Sequence, residues 1–334
     1  MMVDSLKTYY EVSLNKRESK CKIASQTSAT NSETLKSLWN EHQKVLKRMK
    51  NGNSSPEACL DFSFMDLKIK IARILFTECV FCPWKCRVDR RFEVGVCGVT
   101  KSGVASEFLH LGEEAPLIPS HTIFFAGCNL NCVYCQNWDI SQNPQLGMYI
   151  RPSNLARRID QRRRDGSRNV NFVGGDPTPN LHYVLKTMHL TTMNVPVVWN
   201  SNMYLSWESM QLLEGFVDLY LTDFKYGNDE CARKLSGISN YMKVVGTNHK
   251  WANKAGDMII RHLVLPDHGV CCSLPLMHWI YENLGEEVVI NIMGQYQPQY
   301  HAFRYNDISR PTSSLEVEKV VDYAKDLGFI NIIR

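Results

Sequence analysis

From residue 121 onward the chain alternates between two hydrophobic periods. Six short runs, TIFFAG, VNFVGG, PVVWNSN, VDLYLTDFK, MIIRHLVLP and EVVINIMG, are apolar almost throughout and read as strands. Helical spacing occupies residues 153–164, 180–192, 206–216, 228–236, 271–284 and 314–327. Strands buried on both faces give such continuous apolar runs. Their alternation with helices predicts parallel pairing through right-handed crossovers. Six units are two short of a closed eight-unit barrel. The expected fold is therefore α/β, a partial (β/α)6 TIM-like barrel over residues 116–334, open along one side. Its functional groups belong at the carboxyl ends of the strands.

Ahead of the barrel the pattern changes. Residues 1–30 are polar, and ASQTSATNSET has the composition of a flexible linker. ETLKSLWNEHQKVLKRMK then sets Leu35, Leu38, Trp39, His42, Val45, Leu46 and Met49 at helical spacing, a face that docks on the body or on a partner. KNGNSSPEA marks a break. Residues 1–55 thus read as a polar leader, partly disordered with one amphipathic helix. Residues 56–115 read as a helix around 64–77 followed by a cysteine-rich module.

Composition narrows the function classes. The 334 residues are 44% hydrophobic and 22% charged, ordinary for a globular chain. No run of 18 apolar residues predicts a membrane span, and the first twenty residues lack the apolar centre of a secretory signal. A cytoplasmic protein is the expectation. Residues 1–50 hold ten Lys/Arg against five Asp/Glu, so the +4 net charge sits in the leader and the body is nearly neutral. That distribution argues against a nucleic-acid binder. The helix ARRIDQRRRDGSR reads as a solvated face.

Seven of the twelve cysteines fall between Cys79 and Cys135, in two tight groups. Such clustering in a long chain without a signal favours metal over disulfide. Cys79, Cys82, Cys86 and Cys97 make a complete set of four, suited to structural zinc or to an auxiliary [4Fe–4S] cluster. Cys128, Cys132 and Cys135 follow the first barrel strand directly and number only three. A closed zinc site needs four ligands, and a cubane takes one cysteine per iron. Three thiolates leave one iron open to a substrate or cofactor.

CNLNCVYC resembles the CxxxCxΦC signature of the radical S-adenosylmethionine superfamily, with Tyr134 as the aromatic Φ. The resemblance implies a radical SAM type of barrel, in which Cys128, Cys132 and Cys135 hold a [4Fe–4S] cluster. S-adenosylmethionine would chelate the fourth iron, with Tyr134 near the adenine. NFVGGDPTP is similar to the family's GGEPT motif, which places Gly174, Gly175, Asp176 and Pro177 at the methionyl amino group, with Asp176 in place of Glu. A Gly-Gly pair also lets backbone approach a ligand closely.

NSNMY and LYLTDFKYG resemble strand ends of the pyruvate formate-lyase activating enzymes. That likeness implies cofactor-binding roles for Asn200, Ser201, Asn202, Asp223 and Lys225, and for Arg261 in IIRHLVLPD. Those enzymes carry an Asp where Asn200 stands, a departure that bears on a monovalent-cation site. Asp223 and Lys225 are alternatively a strand-end ion pair. The order of parts over residues 64–334 resembles activating-enzyme-like proteins of archaea and bacteria.

The implied chemistry is reductive cleavage of S-adenosylmethionine to a 5′-deoxyadenosyl radical, with ferredoxin or flavodoxin as reductant. The implied substrate is a glycine of a partner protein. The other readings are a small molecule or another protein site as substrate, or an inactive iron–sulfur or zinc interaction protein.

Overall fold

The computed structural model describes residues 3–52 and 60–333. The expected leader–module boundary at 55/56, most of KNGNSSPEA and Cys59 lie outside the described residues.

One sheet contains β1 (Val104–His110), β2 (Ser120–Phe125), β3 (Asn169–Gly174), β4 (Val197–Ser201), β5 (Leu219–Asp223), β6 (Asp257–Leu263), β7 (Val289–Met293) and β8 (Ile332–Ile333), in chain order. β1 runs antiparallel to β2, and every later pairing is parallel. Among the described residues no ladder joins β8 to β1, so the barrel is open between them.

Helices α1 (Lys7–Ser13), α2 (Lys20–Ser25), α3 (Leu35–Lys50) and α4 (Phe64–Thr77) precede the sheet, and the short α5 (Trp138–Ser141) follows β2. The crossovers are α6 (Pro152–Arg164), α7 (Leu181–His189), α8 (Trp207–Leu213), α9 (Asp229–Ser236) with α10 (Tyr241–Ala255), α11 (Leu274–Leu284) and α12 (Ser314–Leu327). These are the six βα units that the periodicity predicted. No helix among the described residues is long and apolar enough to cross a membrane.

The period of two sorts each strand into two rows. Phe125, Phe172, Trp199, Tyr220, Ile260 and Ile290 share the helix-packed core. The opposite row, Val198, Leu219, Leu221, Ile259 and Val289, forms a second apolar cluster inside the barrel. Farther along that inner row stand Asn200, Asp223, Arg261 and Asn291, so the interior turns polar toward the carboxyl ends.

The leader departs from expectation. Residues 4–25 form a 3-10 turn and two helices under the amino ends of the strands, and Leu6, Tyr9 and Tyr10 complete the inner apolar cluster. The Tyr9 amide donates to Asp257 Oδ2 at 2.7 Å, and its hydroxyl accepts from Asn169 Nδ2 at 2.7 Å. The Lys20 amide donates to Asp218 Oδ1 at 2.9 Å. Mean polarity conceals this docking because a few apolar residues share one short face and the polar ones bond to strand ends.

Two further differences have similar origins. β1 falls within residues 56–115 yet belongs to the barrel sheet; its burial alternates as on a half-exposed strand, unlike the continuous apolar runs. Gly246 weakens the helical pattern of α10, where a Cβ would stand 2.8 Å from the Trp279 ring.

α3 packs on α4 through Leu38, His42, Val45 and Leu46. Lys68 of α4 is fully buried, with Nζ 2.9 Å from His42 Nε2 and donating to the Leu212 and Glu214 carbonyls at 3.0 and 2.7 Å. Burial pulls its ammonium pKa down to about 7.

Tyr9→Ala should lower unfolding free energy by about 3–5 kcal/mol, the usual cost of emptying a buried aromatic site, as measured by denaturant titration. Lys68 gives a pH signature. Between pH 7 and about 8.5 the unfolded chain keeps the Lys68 proton and the folded chain has released it, so this residue makes stability rise with pH. Melting temperatures at the two pH values should rise more in the parent protein than in Lys68→Met.

Candidate functional site

The three-cysteine loop leaves the carboxyl end of β2 and is tied down on three sides. Asn131 and Val133 donate their amides to the Ser236 and Leu235 carbonyls at the end of α9, at 3.3 and 2.9 Å. The His301 amide donates to the Val133 carbonyl at 2.8 Å. Asn129 Nδ2 donates to the Tyr204 carbonyl at 2.7 Å.

Each sulfur has a polar neighbour. The Leu130 amide and Asn202 Nδ2 lie 3.4 and 3.7 Å from Cys128 Sγ. Ser236 Oγ is 2.9 Å from Cys132 Sγ, and Ser141 Oγ is 3.3 Å from Cys135 Sγ. Hydrogen bonds to cluster sulfurs are one lever on cluster potential. Burial raises the Cys128 thiol well above its usual range and Cys132 to about 11, with the nearby Lys225 charge opposing the rise at Cys132. Free, both thiols hold their protons; metal ligation requires losing them.

Gly174–Pro177 stand beside the loop, and the two glycines make a close backbone contact with it and with the end of β2. A Cβ on Gly174 would come within 2.1 Å of the Phe125 carbonyl oxygen, and one on Gly175 within 2.2 Å of the Gly127 carbonyl oxygen. Gly174 also has φ of +128°. The turn is therefore glycine-rich because backbone presses on backbone. The Gly175 and Asp176 amides donate to those same carbonyls at 2.8 and 3.0 Å.

Asp176 is buried and turned inward. Its Oδ1 accepts from the Thr178 amide at 2.8 Å, and Oδ2 accepts from Ser201 Oγ at 3.1 Å and the Asn202 amide at 2.9 Å. Burial raises its pKa, and these donors oppose the rise. Asp176 joins the β3 turn to the end of β4. Asn202 continues the link, donating to Asn129 Oδ1 at 2.8 Å.

Asp223, Lys225 and Arg261 form one network. Asp223 Oδ2 lies 2.8 Å from Lys225 Nζ, and Oδ1 lies 3.0 Å from Arg261 Nε. Arg261 also bonds to Asn200 Oδ1 and reaches Glu113 Oε2 at 3.7 Å. Burial would raise the Asp223 pKa, but the Arg261 and Lys225 charges outweigh it and bring the carboxyl to about 2. The strand-end ion-pair reading thus describes these side chains directly. Asn200 Nδ2 and Glu114 Oε2 are buried polar atoms without a partner in this region. They are free to meet a polar ligand.

Tyr134 lies in the core, edge-on to Tyr226 and Tyr296. Its hydroxyl donates to Tyr226 Oη at 2.8 Å, and Tyr226 Oη is 2.6 Å from Ser236 Oγ, so a hydroxyl chain runs to Cys132. Ser236 carries no sequence signature, and Asn129 and Tyr226 lie within CNLNCVYC and LYLTDFKYG at positions the motifs do not single out. Glu113 and Glu114 occur in HLGEEAP, ahead of the strands whose ends were searched.

The four-cysteine module follows α4. Arg87 donates its amide to the Cys79 carbonyl at 2.9 Å, Val96 donates to Cys86 Sγ at 3.4 Å, and Arg90 Nη1 lies 3.4 Å from Cys79 Sγ. Burial first, then the neighbouring thiols, push Cys82 up to about 12. Trp84 Nε1 donates to the Asn129 carbonyl at 2.8 Å, which sets the module against the three-cysteine loop. All described cysteines are unpaired.

A family model for the radical SAM superfamily matches residues 122–271, which carry the loop and the strands up to β6. The chain is also 47% identical over 299 residues to the uncharacterized protein MJ0674 of Methanocaldococcus jannaschii, covering 87% of this chain and 88% of that one. The chain belongs to the radical SAM superfamily.

A second relative, the uncharacterized protein MJ0808 of the same organism, is 23% identical over 277 residues, covering 76% and 80% of the two chains. Among solved structures, Streptococcus suis SuiB bound to S-adenosylmethionine is 14% identical with a TM-score of 0.43. The alignment covers 62% of this chain and 47% of SuiB, under half its length and too loose to bear on the site.

Membership in the radical SAM superfamily implies a [4Fe–4S] cluster and S-adenosylmethionine. The residues fit both: one buried and two half-buried thiols with polar neighbours, and unpaired polar atoms on the adjoining strand and loop.

Cys132→Ala should lose one cluster's iron and sulfide per chain after anaerobic reconstitution. Ser236→Ala should keep that iron but move the cluster's midpoint potential, read by redox titration with electron paramagnetic resonance.

Proposed function

We propose that this radical SAM protein cleaves S-adenosylmethionine reductively and directs the resulting radical to a substrate at the carboxyl face of the barrel. Cys128, Cys132 and Cys135 would ligate the cluster. When bound, cluster and S-adenosylmethionine supply a 5′-deoxyadenosyl radical able to abstract hydrogen. The three-thiol loop beside a charged, partly unsatisfied strand-end network is the observation that carries this reading.

The remaining work falls to the chain's own groups. Asn200 and the Asp223–Lys225–Arg261 network present polar atoms toward the interior. Asp176 holds the ends of β3 and β4 together, and the leader closes the amino end of the barrel. A ferredoxin- or flavodoxin-type reductant is the partner that the chemistry requires.

The substrate class we propose is a glycine of a partner protein, by the likeness of NSNMY and LYLTDFKYG to the activating enzymes. A second reading has its own support: a cavity of about 590 Å3 beside Arg261, lined by Glu113, Glu114, Asn291 and Gln295, is of a size that suits a small polar molecule.

For the four-cysteine module we propose an auxiliary [4Fe–4S] cluster rather than zinc. Four thiols suit either, and the Cys82–Pro83 pair is similar to the Cys-Pro of ferredoxin loops.

Reconstituted protein with a strong reductant should form 5′-deoxyadenosine and methionine, and Cys132→Ala should form neither. Persistent absence of cleavage by the parent protein would overturn the enzymatic reading in favour of an inactive interaction protein. A glycyl doublet in electron paramagnetic resonance with a candidate partner supports activation. Substrate-dependent turnover with a small molecule, and no doublet, supports the second reading.

A further inference from the structure

Apart from both cysteine groups described above, four donor side chains converge at the carboxyl ends of β5 and β6. Among the described residues, Cys231, His268, Cys271 and Cys272 are the only set of three or more Cys, His, Asp or Glu whose donor atoms all lie within 4.8 Å of one another. We propose that these four residues form a structural zinc site.

The spacings favour a single tetrahedral ion. Ordinary zinc–sulfur and zinc–nitrogen bonds in that geometry place sulfurs about 3.8 Å apart and sulfur about 3.6 Å from nitrogen. Cys231 Sγ lies 3.9 Å from Cys271 Sγ, and His268 Nδ1 lies 3.6 and 3.4 Å from these two sulfurs. A Cys231–Cys271 disulfide would need an S–S distance near 2.05 Å and would leave the convergence of Cys272 and the imidazole unexplained.

The surroundings complete the site. His268 Nε2 lies 3.1 Å from Asp307 Oδ2, an arrangement that keeps the proton on Nε2 and leaves the Nδ1 lone pair facing the sulfurs. A carboxylate behind the imidazole is the usual partner of a zinc-ligating histidine. Lys234 Nζ holds the same carboxylate oxygen at 2.6 Å. Asn228 Nδ2 donates toward Cys231 Sγ and Cys272 Sγ at 3.4 and 3.5 Å and to the Cys271 carbonyl at 2.7 Å. Such donors stabilise thiolates.

The backbone is shaped to bring the set together. Asn228 caps α9, with Oδ1 accepting from the Cys231 amide at 2.8 Å. A π turn over Gly269–Ser273 brings Cys271 and Cys272 round to His268, closed by the Ser273 amide on the His268 carbonyl at 3.1 Å. Gly227 lies so close to Cys272 that a Cβ would meet its carbonyl oxygen at 2.3 Å.

The ion would pin α9 to the loop after β6. The far end of α9 carries Leu235 and Ser236, whose backbone and side chain hold the three-cysteine loop. The site therefore braces that loop without joining its chemistry, and it stands whether or not the proposed reaction is correct.

The test is metal analysis and zinc-edge X-ray absorption on the full-length protein, purified without oxygen. Zinc near one per chain is expected, with three sulfurs at about 2.3 Å and one nitrogen at about 2.0–2.1 Å. It should persist in Cys82→Ser/Cys86→Ser and fall by about one per chain in His268→Ala and in Cys231→Ser. If those two variants are insoluble, Asp307→Asn decides, by losing zinc to a chelator about 10–100-fold more readily than the parent. The assignment is overturned by zinc that is absent even after Zn2+ titration, by zinc that His268→Ala leaves in place, by an all-sulfur shell, or by Asp307→Asn retaining zinc like the parent.

Discussion

Asp223 and Arg261 face each other across β5 and β6, and the carboxyl end of the barrel depends on keeping that pair together. A register slip of one residue would send Arg261 into the helix-packed core and leave Asp223 uncompensated, since successive side chains point to opposite faces. Removing one partner of this half-buried pair would leave the other charge uncompensated. Lys225, Asn200 and Glu113 share the remaining donors and acceptors, so the network spans β4, β5, β6 and the loop after β1. The same inner rows are apolar at their amino ends, where Tyr9 and Leu6 seal them. One end of the interior is closed and the other is charged.

The sulfur groups are mechanically connected. Trp84 joins the four-cysteine module to Asn129, immediately after Cys128. α9 joins Cys132 to the cluster of Cys231, His268, Cys271 and Cys272 through a single helix. Asp176 and Asn202 add a third connection, from the ends of β3 and β4 to the same loop. A loop with three cysteines in eight residues has little regular structure of its own, so its shape is imposed by these neighbours. That also accounts for Gly174 and Gly175, which yield space to the Phe125 and Gly127 carbonyls.

Much of this was legible along the chain, for reasons that differ residue by residue. Cys128, Cys132 and Cys135 form a local pattern, and spacing alone marks them. The parallel strands announce themselves because burial on both faces removes the polar positions. The half-exposed β1 and the two-residue β8 lack that mark. The leader escaped because composition averages over Tyr9 and Leu6, whereas packing depends on the face they share. Cys231 is 37 residues from His268, and the local His268-x2-Cys271-Cys272 run supplies only part of a ligand set, so that cluster was not legible as a whole in the sequence.

By itself, the sequence determined the strand–helix alternation, the count of six units and the three-thiol loop. These are short-range periodicities and local ligand sets, which the chain encodes without reference to distant residues. Tertiary structure alone decided that Asp176 faces inward, that Tyr134 joins a hydroxyl chain to Cys132, and that Asp223 is held between Arg261 and Lys225. It also decided which cysteines meet a histidine. Those outcomes depend on which crossover returns which strand end to the rim, and on what burial does to a carboxylate, a thiol or an imidazole once it arrives there.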